Sequence, residues 1–153
     1  MKNRVSGVAT VLIVLAAVFA AAGCAPTLQQ VYQRVEAIPP GKALVYIYRP
    51  GGFLGGAVYY DVRANGTVVT TLYRGGYYPY IAEPAEIEFS AKTEATDSVT
   101  IDVKAGQTYY IKGTVGVGFV VGRPHLTVVP ASDAESEIAE CKLLPGPEKQ
   151  ESK

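Results

Sequence analysis

The sequence is poor in the residues that build most catalytic and metal sites. Among 153 residues it has one histidine, one methionine, two cysteines and no tryptophan. Because His125 is the only histidine, the chain cannot form a histidine-rich metal site. A Ser-His-Asp arrangement would have to include His125. His125 shares a strand face with Thr127 and Val129, which favours a solvent-facing or edge position. Basic and acidic residues balance at 14 each, so we expect no nucleic-acid partner.

The chain has one long apolar run, at the N-terminus. Lys2 and Arg4 precede the run over residues 8–22, and small residues lead from it into Cys24. This order is typical of an export signal. It resembles a bacterial lipoprotein signal, in which residues 1–23 are removed and Cys24 is acylated. Ordinary signal cleavage near residues 20–22 and an uncleaved membrane anchor are the alternatives.

The resemblance to a lipoprotein signal implies where the protein works. It implies a membrane partner, through the lipid on Cys24, and a location in the cell envelope. Ala25 follows the cysteine where an aspartate could stand, which favours the outer membrane of a Gram-negative cell. With Cys24 acylated, Cys141 has no partner for a disulfide within the chain. We expect Cys141 to be a buried, inert thiol, with an exposed, reactive sulfur as the alternative.

Residues 24–41 form the predicted tether between the lipid and the folded domain. Apolar residues recur at helical spacing at Leu28, Val31, Tyr32, Val35 and Ile38. The spacing predicts a short amphipathic helix that ends before Pro39. We expect this helix to pack on the domain, and the lipid surface is its alternative location.

From residue 42 onward the apolar period changes from helical to alternating, which is typical of strands. Residues 43–48 are apolar on both faces and predict a central strand. Asn65-Gly66 predicts a type I′ hairpin turn. Seven or eight short strands separated by turn signals predict an all-β fold, an antiparallel β-sandwich over residues 42–144.

The C-terminal part of the chain returns to a helical pattern. Residues 132–135 fit a capping box, and Ala134, Ile138 and Cys141 follow at the spacing of one helix face. This predicts a short C-terminal helix with a buried side that includes Cys141. Residues 145–153 are expected to be a disordered tail.

Four segments, in this order, resemble the bacterial lipoproteins of the family catalogued as domain of unknown function 2846. They read ALVYIYRP at residues 43–50, SAKTE at 90–94, AGQTYYIK at 105–112 and ECKLL at 140–144. The resemblance spans about residues 42–144 and implies an envelope lipoprotein. The family has no established catalytic residues, so the resemblance implies none here. We expect no metal ion and no cofactor.

Tyrosine is abundant, with 11 residues, and this excess bears most directly on function. Tyrosine and phenylalanine anchor many interfaces because they contribute a large contact area. Phe53, Tyr77, Tyr78 and Phe119 lie at strand ends near glycines and form the predicted binding patch. The alternative is that the rings complete the sandwich core.

We therefore predict a membrane-anchored, non-catalytic binding or assembly module for an envelope protein or glycan. Two alternatives remain at the level of sequence. One is an inhibitor or accessory lipoprotein that blocks an enzyme. The other is a cell-wall hydrolase, which the lack of a catalytic constellation in the sequence disfavours.

Overall fold

Two β-sheets packed face to face make up the fold. The computed structural model describes residues 31–52 and 56–147. The strands are β1 (Ala43–Arg49), β2 (Tyr60–Ala64), β3 (Thr67–Leu72), β4 (Gly76–Ala82), β5 (Glu86–Lys92), β6 (Thr96–Asp102), β7 (Thr108–Gly116), β8 (Arg123–Val129) and β9 (Lys142–Leu143). One sheet has the order β8-β7-β1-β4-β9, and the other has the order β3-β2-β5-β6. The predicted all-β sandwich is confirmed.

Strand β1 is buried on both faces, as its sequence predicts. All seven of its residues are buried, and it lies in the middle of the five-stranded sheet. Alternate side chains enter the core between the sheets, namely those of Ala43, Val45 and Ile47. The intervening side chains enter a second core on the opposite face, namely those of Leu44, Tyr46 and Tyr48. The sheet therefore has hydrophobic packing on both sides of its central strand.

Most neighbouring strands are antiparallel, but two pairs are parallel. β1 pairs with β7 in parallel, with Tyr48 opposite Lys112, and β4 pairs with β9 in parallel over two residues. The prediction of antiparallel strands is right for five of the seven pairings. Parallel neighbours require a long crossover connection. The chain supplies one, because it builds the other sheet between β1 and β7.

The β2–β3 hairpin turns at Asn65-Gly66, as predicted. Both residues have a positive φ, 47° and 82°, which a type I′ turn requires. Along β2 buried and exposed residues alternate. Its buried face contributes Val62 to the core between the sheets, where Phe89 of β5 also lies. The other face of this sheet is open to solvent.

The second core lies between the five-stranded sheet, helix α1 (Ala131–Ile138) and the extended residues before β1. Tyrosine rings fill much of it. Tyr46 stacks on Tyr110 with ring centroids 5.4 Å apart, and Tyr32 meets Tyr46 edge-on at 5.6 Å. We call this group of residues the outer core. For these tyrosines, the alternative that rings complete a core is correct.

The amphipathic helix predicted within residues 24–41 is not present where the structure describes this segment. Residues 31–38 are not helical. Val31 forms an isolated antiparallel bridge with Lys142. The Tyr32 N–H donates to the Cys141 carbonyl oxygen at 3.0 Å. The segment packs on the domain, which was the expected location, but it does so in an extended form.

Tyrosine hydroxyls explain why this segment is extended. The Val35 N–H donates to the Tyr46 hydroxyl at 2.8 Å, and the Gln33 N–H donates to the Tyr77 hydroxyl at 3.1 Å. A helix of this length is marginal in isolation. The sheet offers the backbone N–H groups partners of its own, and these contacts replace the hydrogen bonds of a helix.

Helix α1 is eight residues long, and no helix within the described ranges is long and apolar enough to cross a bilayer. It begins after Pro130 with no side-chain cap, so the predicted capping box is wrong. Ala134 and Ile138 are buried, and so is Cys141, but Cys141 lies beyond the end of the helix and not on its buried face as predicted. Burial raises the pKa of the Cys141 thiol to about 11. The buried thiol agrees with the expectation of an inert cysteine.

Candidate functional site

The four residues of the predicted binding patch do not form one surface. Phe53 lies outside the described residues. Tyr77 is only 2% exposed, so it is a core residue and the prediction is wrong for it. Its ring packs edge-on against Tyr32, 5.1 Å between centroids, because the extended N-terminal segment covers this face of β4. Tyr78 faces the opposite side of β4 and is half-buried, whereas Phe119 is 93% exposed.

Two exposed tyrosines stack where β2 begins and β3 ends. Tyr59 is 59% exposed and Tyr73 is 45% exposed. Their ring centroids are 5.0 Å apart and their planes differ by 23°. The hairpin register brings them together, since Tyr60 pairs with Leu72 directly beside them. Two stacked rings in water offer a flat apolar surface with hydroxyls at its rim.

A groove with a volume of about 820 Å³ opens beside this pair. One wall is the β2–β3 hairpin, which contributes Tyr73, and the other wall is residues 145–147. The Thr70 hydroxyl donates to the Pro145 carbonyl oxygen at 3.2 Å, which fixes the second wall against the hairpin. We call this site, together with Tyr59, the tyrosine groove.

Polar side chains of the hairpin line the tyrosine groove. The Thr71 hydroxyl donates to Asp61 Oδ1 at 2.8 Å. Arg63 Nη2 lies 3.9 Å from Asp61 Oδ2, and Arg63 Nη1 donates to the Gly66 carbonyl oxygen at 3.2 Å. The groove thus offers a carboxylate acceptor, a guanidinium donor and a hydroxyl next to an aromatic platform.

The loop after β7 carries the most exposed large apolar side chains of the described residues. Val117, Phe119 and Val120 are 92%, 93% and 87% exposed. We call residues 117–122 the apolar loop. Grouped apolar side chains in water are typical of contact sites for a protein or a membrane.

One carboxylate holds the backbone of the apolar loop. Glu94 Oε1 accepts a hydrogen bond from the Phe119 N–H at 2.8 Å, and Glu94 Oε2 accepts from Val120 at 2.9 Å and from Val121 at 3.3 Å. The hydrogen bonds donated by the N–H groups of Val120 and Phe119 are the main reason that the pKa of the Glu94 carboxyl is below its usual range. The backbone is therefore anchored while the side chains remain in solvent.

The conformation of the apolar loop requires glycine at two positions. A Cβ atom on Gly118 would lie 2.0 Å from Glu94 Oε1 and 2.6 Å from Gly122 Cα. Gly122 has a φ of 96°, which other residues rarely adopt. Glycine at position 118 thus permits the close approach of the loop backbone to Glu94 and to Gly122.

The single histidine lies at a sheet edge, as predicted. His125 Nδ1 is 3.7 Å from Asp97 Oδ2, and the same oxygen accepts a hydrogen bond from the Leu126 N–H at 2.8 Å. Asp97 thus joins β6 of one sheet to β8 of the other. In the part of the chain that the structure describes, no three His, Cys, Asp or Glu side chains come together in a way that could hold a metal ion.

The substitution Glu94→Gln should loosen the apolar loop and leave the sandwich folded. The amide keeps one carbonyl oxygen, but its NH₂ group would face an N–H donor of the loop. We expect larger fast motions at the Phe119 and Val120 amides, measured as lower NMR relaxation order parameters. Acid should act in the same way on the wild type. In the folded protein the pKa of Glu94 is below that of an unfolded glutamate, about 4.3. Glu94 therefore restrains the loop fully above that pH, and the restraint is lost as the pH falls through the pKa of the folded state.

Glu86→Gln is the matched control for this experiment. Glu86 is an exposed carboxylate at the other end of β5, so its loss should leave the order parameters of the loop unchanged. If the Phe119 and Val120 amides had equal order parameters in the wild type and in Glu94→Gln at neutral pH, Glu94 would not restrain the loop.

Comparisons with known proteins identify no relative of this chain. No protein-family model, no curated protein and no solved structure matches it. The resemblance to the family of domain of unknown function 2846 therefore stays a prediction.

Proposed function

We propose that the protein is a membrane-anchored envelope lipoprotein that acts as a non-catalytic binding module, with envelope glycan as the ligand of the tyrosine groove. One observation carries the proposal. The exposed, stacked rings of Tyr59 and Tyr73 lie beside the polar side chains of Asp61, Arg63 and Thr71. This combination of an aromatic platform and charged hydrogen-bonding groups suits a ligand that has both apolar and polar faces.

A sugar ring has both kinds of surface. Its C–H groups can pack on the face of an aromatic ring, and its hydroxyls can donate to a carboxylate or accept from a guanidinium. The groove offers these groups within one hairpin. An envelope protein is the other partner class that the sequence suggested. The centre of a protein interface is usually depleted of charge, and here Asp61 and Arg63 lie beside the rings, which favours glycan.

The membrane attachment in this proposal depends on Cys24, which lies outside the described residues. Its support is the order of the positive residues, the apolar run and the small residues before the cysteine. Two or three acyl chains give a stable anchor, whereas one is marginal. An aspartate does not follow Cys24, which favours the outer membrane if the cell is Gram-negative.

Replacing both platform tyrosines should weaken glycan binding. We expect the double substitution Tyr59→Ala and Tyr73→Ala to reduce affinity for purified peptidoglycan at least about tenfold, equal to about 1.4 kcal/mol. The reason is the loss of the stacking surface. Cosedimentation with insoluble peptidoglycan over a range of protein concentrations measures the affinity. The melting temperature should change little, because both rings lie at the surface and not in a core.

The double substitution Tyr59→Phe and Tyr73→Phe is the matched control. It keeps the rings and removes the hydroxyls, so most of the affinity should remain. Equal sedimentation of the wild type and the alanine variant would show that the groove does not bind this glycan. Groove-dependent capture of an envelope protein, without sedimentation by peptidoglycan, would replace glycan with a protein partner.

Loss of the lipidation site should release the protein from the membrane. Cys24→Ser removes the sulfur that accepts the acyl chains, so we expect the variant in the soluble fraction or as an unprocessed precursor. Fractionation and the mass of the N-terminal peptide measure the outcome. Cys141→Ser is the control and should stay membrane-bound. A processed Cys24→Ser variant that is held on the membrane like the wild type would contradict lipidation.

A further inference from the structure

We infer that the apolar loop inserts into the lipid surface of the membrane that holds Cys24. The inference rests on the proposed lipid anchor, and it assigns a second membrane contact at a place separate from the tyrosine groove. It starts from the three side chains of Val117, Phe119 and Val120, which are almost fully exposed.

The apolar loop is built to keep these side chains in solvent. Its sequence, Val-Gly-Phe-Val-Val-Gly, contains no charged or hydrogen-bonding side chain. The Glu94 carboxylate binds its backbone at consecutive N–H groups, and the Thr93 hydroxyl donates to the Gly122 carbonyl oxygen at 2.6 Å. Polar groups thus bind the backbone of the loop, while the side chains of Val117, Phe119 and Val120 extend into solvent.

The register of the five-stranded sheet places the apolar loop at the end where the described chain begins. Arg49, at the end of β1, pairs with Gly76 of β4, and Gly76 pairs with Lys142 of β9. Val31 bridges to the same Lys142. Strand β7 runs parallel to β1 with Tyr48 opposite Lys112. It then continues for four more residues to Gly116, about 13 Å at strand rise, before the loop begins.

The length of the chain before Val31 limits how far the domain can lie from the lipid. Val31 is the seventh residue after Cys24, and a fully extended chain of that length reaches about 25 Å. Strands β7 and β9 are three positions apart in the sheet, about 14 Å. The loop therefore lies at the same end of the sheet as Val31, and the proposed anchor brings the bilayer within its reach. A lipid surface is always present there, whereas a protein partner would have to be recruited.

Charges lie beneath the tip of the loop and not at it. Arg123 Nε is 3.6 Å from Glu94 Oε1, and its side chain is half-exposed. An apolar tip above an exposed guanidinium matches the layers of a membrane surface, in which phosphate head groups lie outside the acyl chains. The arrangement fits shallow insertion of the tip with Arg123 at the level of the head groups.

The absence of tryptophan makes the inference directly measurable. The chain has none, so Phe119→Trp introduces a single tryptophan at the tip of the loop. The control variant Ile81→Trp introduces one at an exposed position, where residue 81 pairs with Leu44 at the other end of the sheet. Each full-length protein is reconstituted in vesicles of phosphatidylethanolamine and phosphatidylglycerol, with and without bromine on the acyl chains. Flotation of the vesicles shows whether the protein is attached.

We expect both variants to float with the vesicles and only the loop variant to sense the acyl chains. The emission of Phe119→Trp should shift to shorter wavelength and be quenched by brominated lipid several-fold more than that of Ile81→Trp. Attached protein in which neither variant is quenched would overturn the inference and leave the anchor intact. Equal quenching of both variants would also overturn it, because the domain would then lie on the lipid by another face. Failure to float would overturn the proposed anchor and this inference with it.

Discussion

The burial of β1 on both faces is the constraint on which the rest of the structure depends. A strand that is apolar on both sides cannot face water on its outer side, so the five-stranded sheet needs a second cover. Helix α1 and the extended N-terminal segment provide that cover. The outer core that results is rich in tyrosine, and buried hydroxyls need hydrogen-bond partners. Tyr46 and Tyr77 accept theirs from the backbone of the covering segment.

This arrangement connects the core with the surfaces that we assign to function. Because the covering segment is tied to the outer core, Val31 lies beside β9, at the end of the sheet from which the apolar loop projects. The tyrosines are divided between two roles by their position in the sheets. Those on the outer face of the five-stranded sheet fill a core, whereas Tyr59 and Tyr73 lie on the hairpin of the other sheet and remain open to a ligand.

Local patterns predicted the strands, the hairpin and the burial of Cys141, because each depends on a few neighbouring residues. The N-terminal helix was wrong because helical spacing cannot reveal that distant tyrosine hydroxyls bind the backbone. Burial of Tyr77 was missed for the same reason. The stacked pair of Tyr59 and Tyr73 could be predicted only in part from the sequence. Counting outward from the Asn65-Gly66 turn would place Tyr59 opposite Leu72, but a bulge at Val62/Arg63 shifts the register and brings Tyr73 beside it.

The central claim is that tyrosine hydroxyls of the outer core fix the extended N-terminal segment on the five-stranded sheet. Hydrogen exchange at the amides of Gln33 and Val35 tests it most directly, in the wild type and in the variants Tyr46→Phe and Tyr77→Phe. The account predicts that both amides are protected in the wild type, that Tyr46→Phe speeds exchange mainly at Val35, and that Tyr77→Phe speeds it mainly at Gln33. Exchange of both wild-type amides at the rate of an unfolded chain would contradict the account.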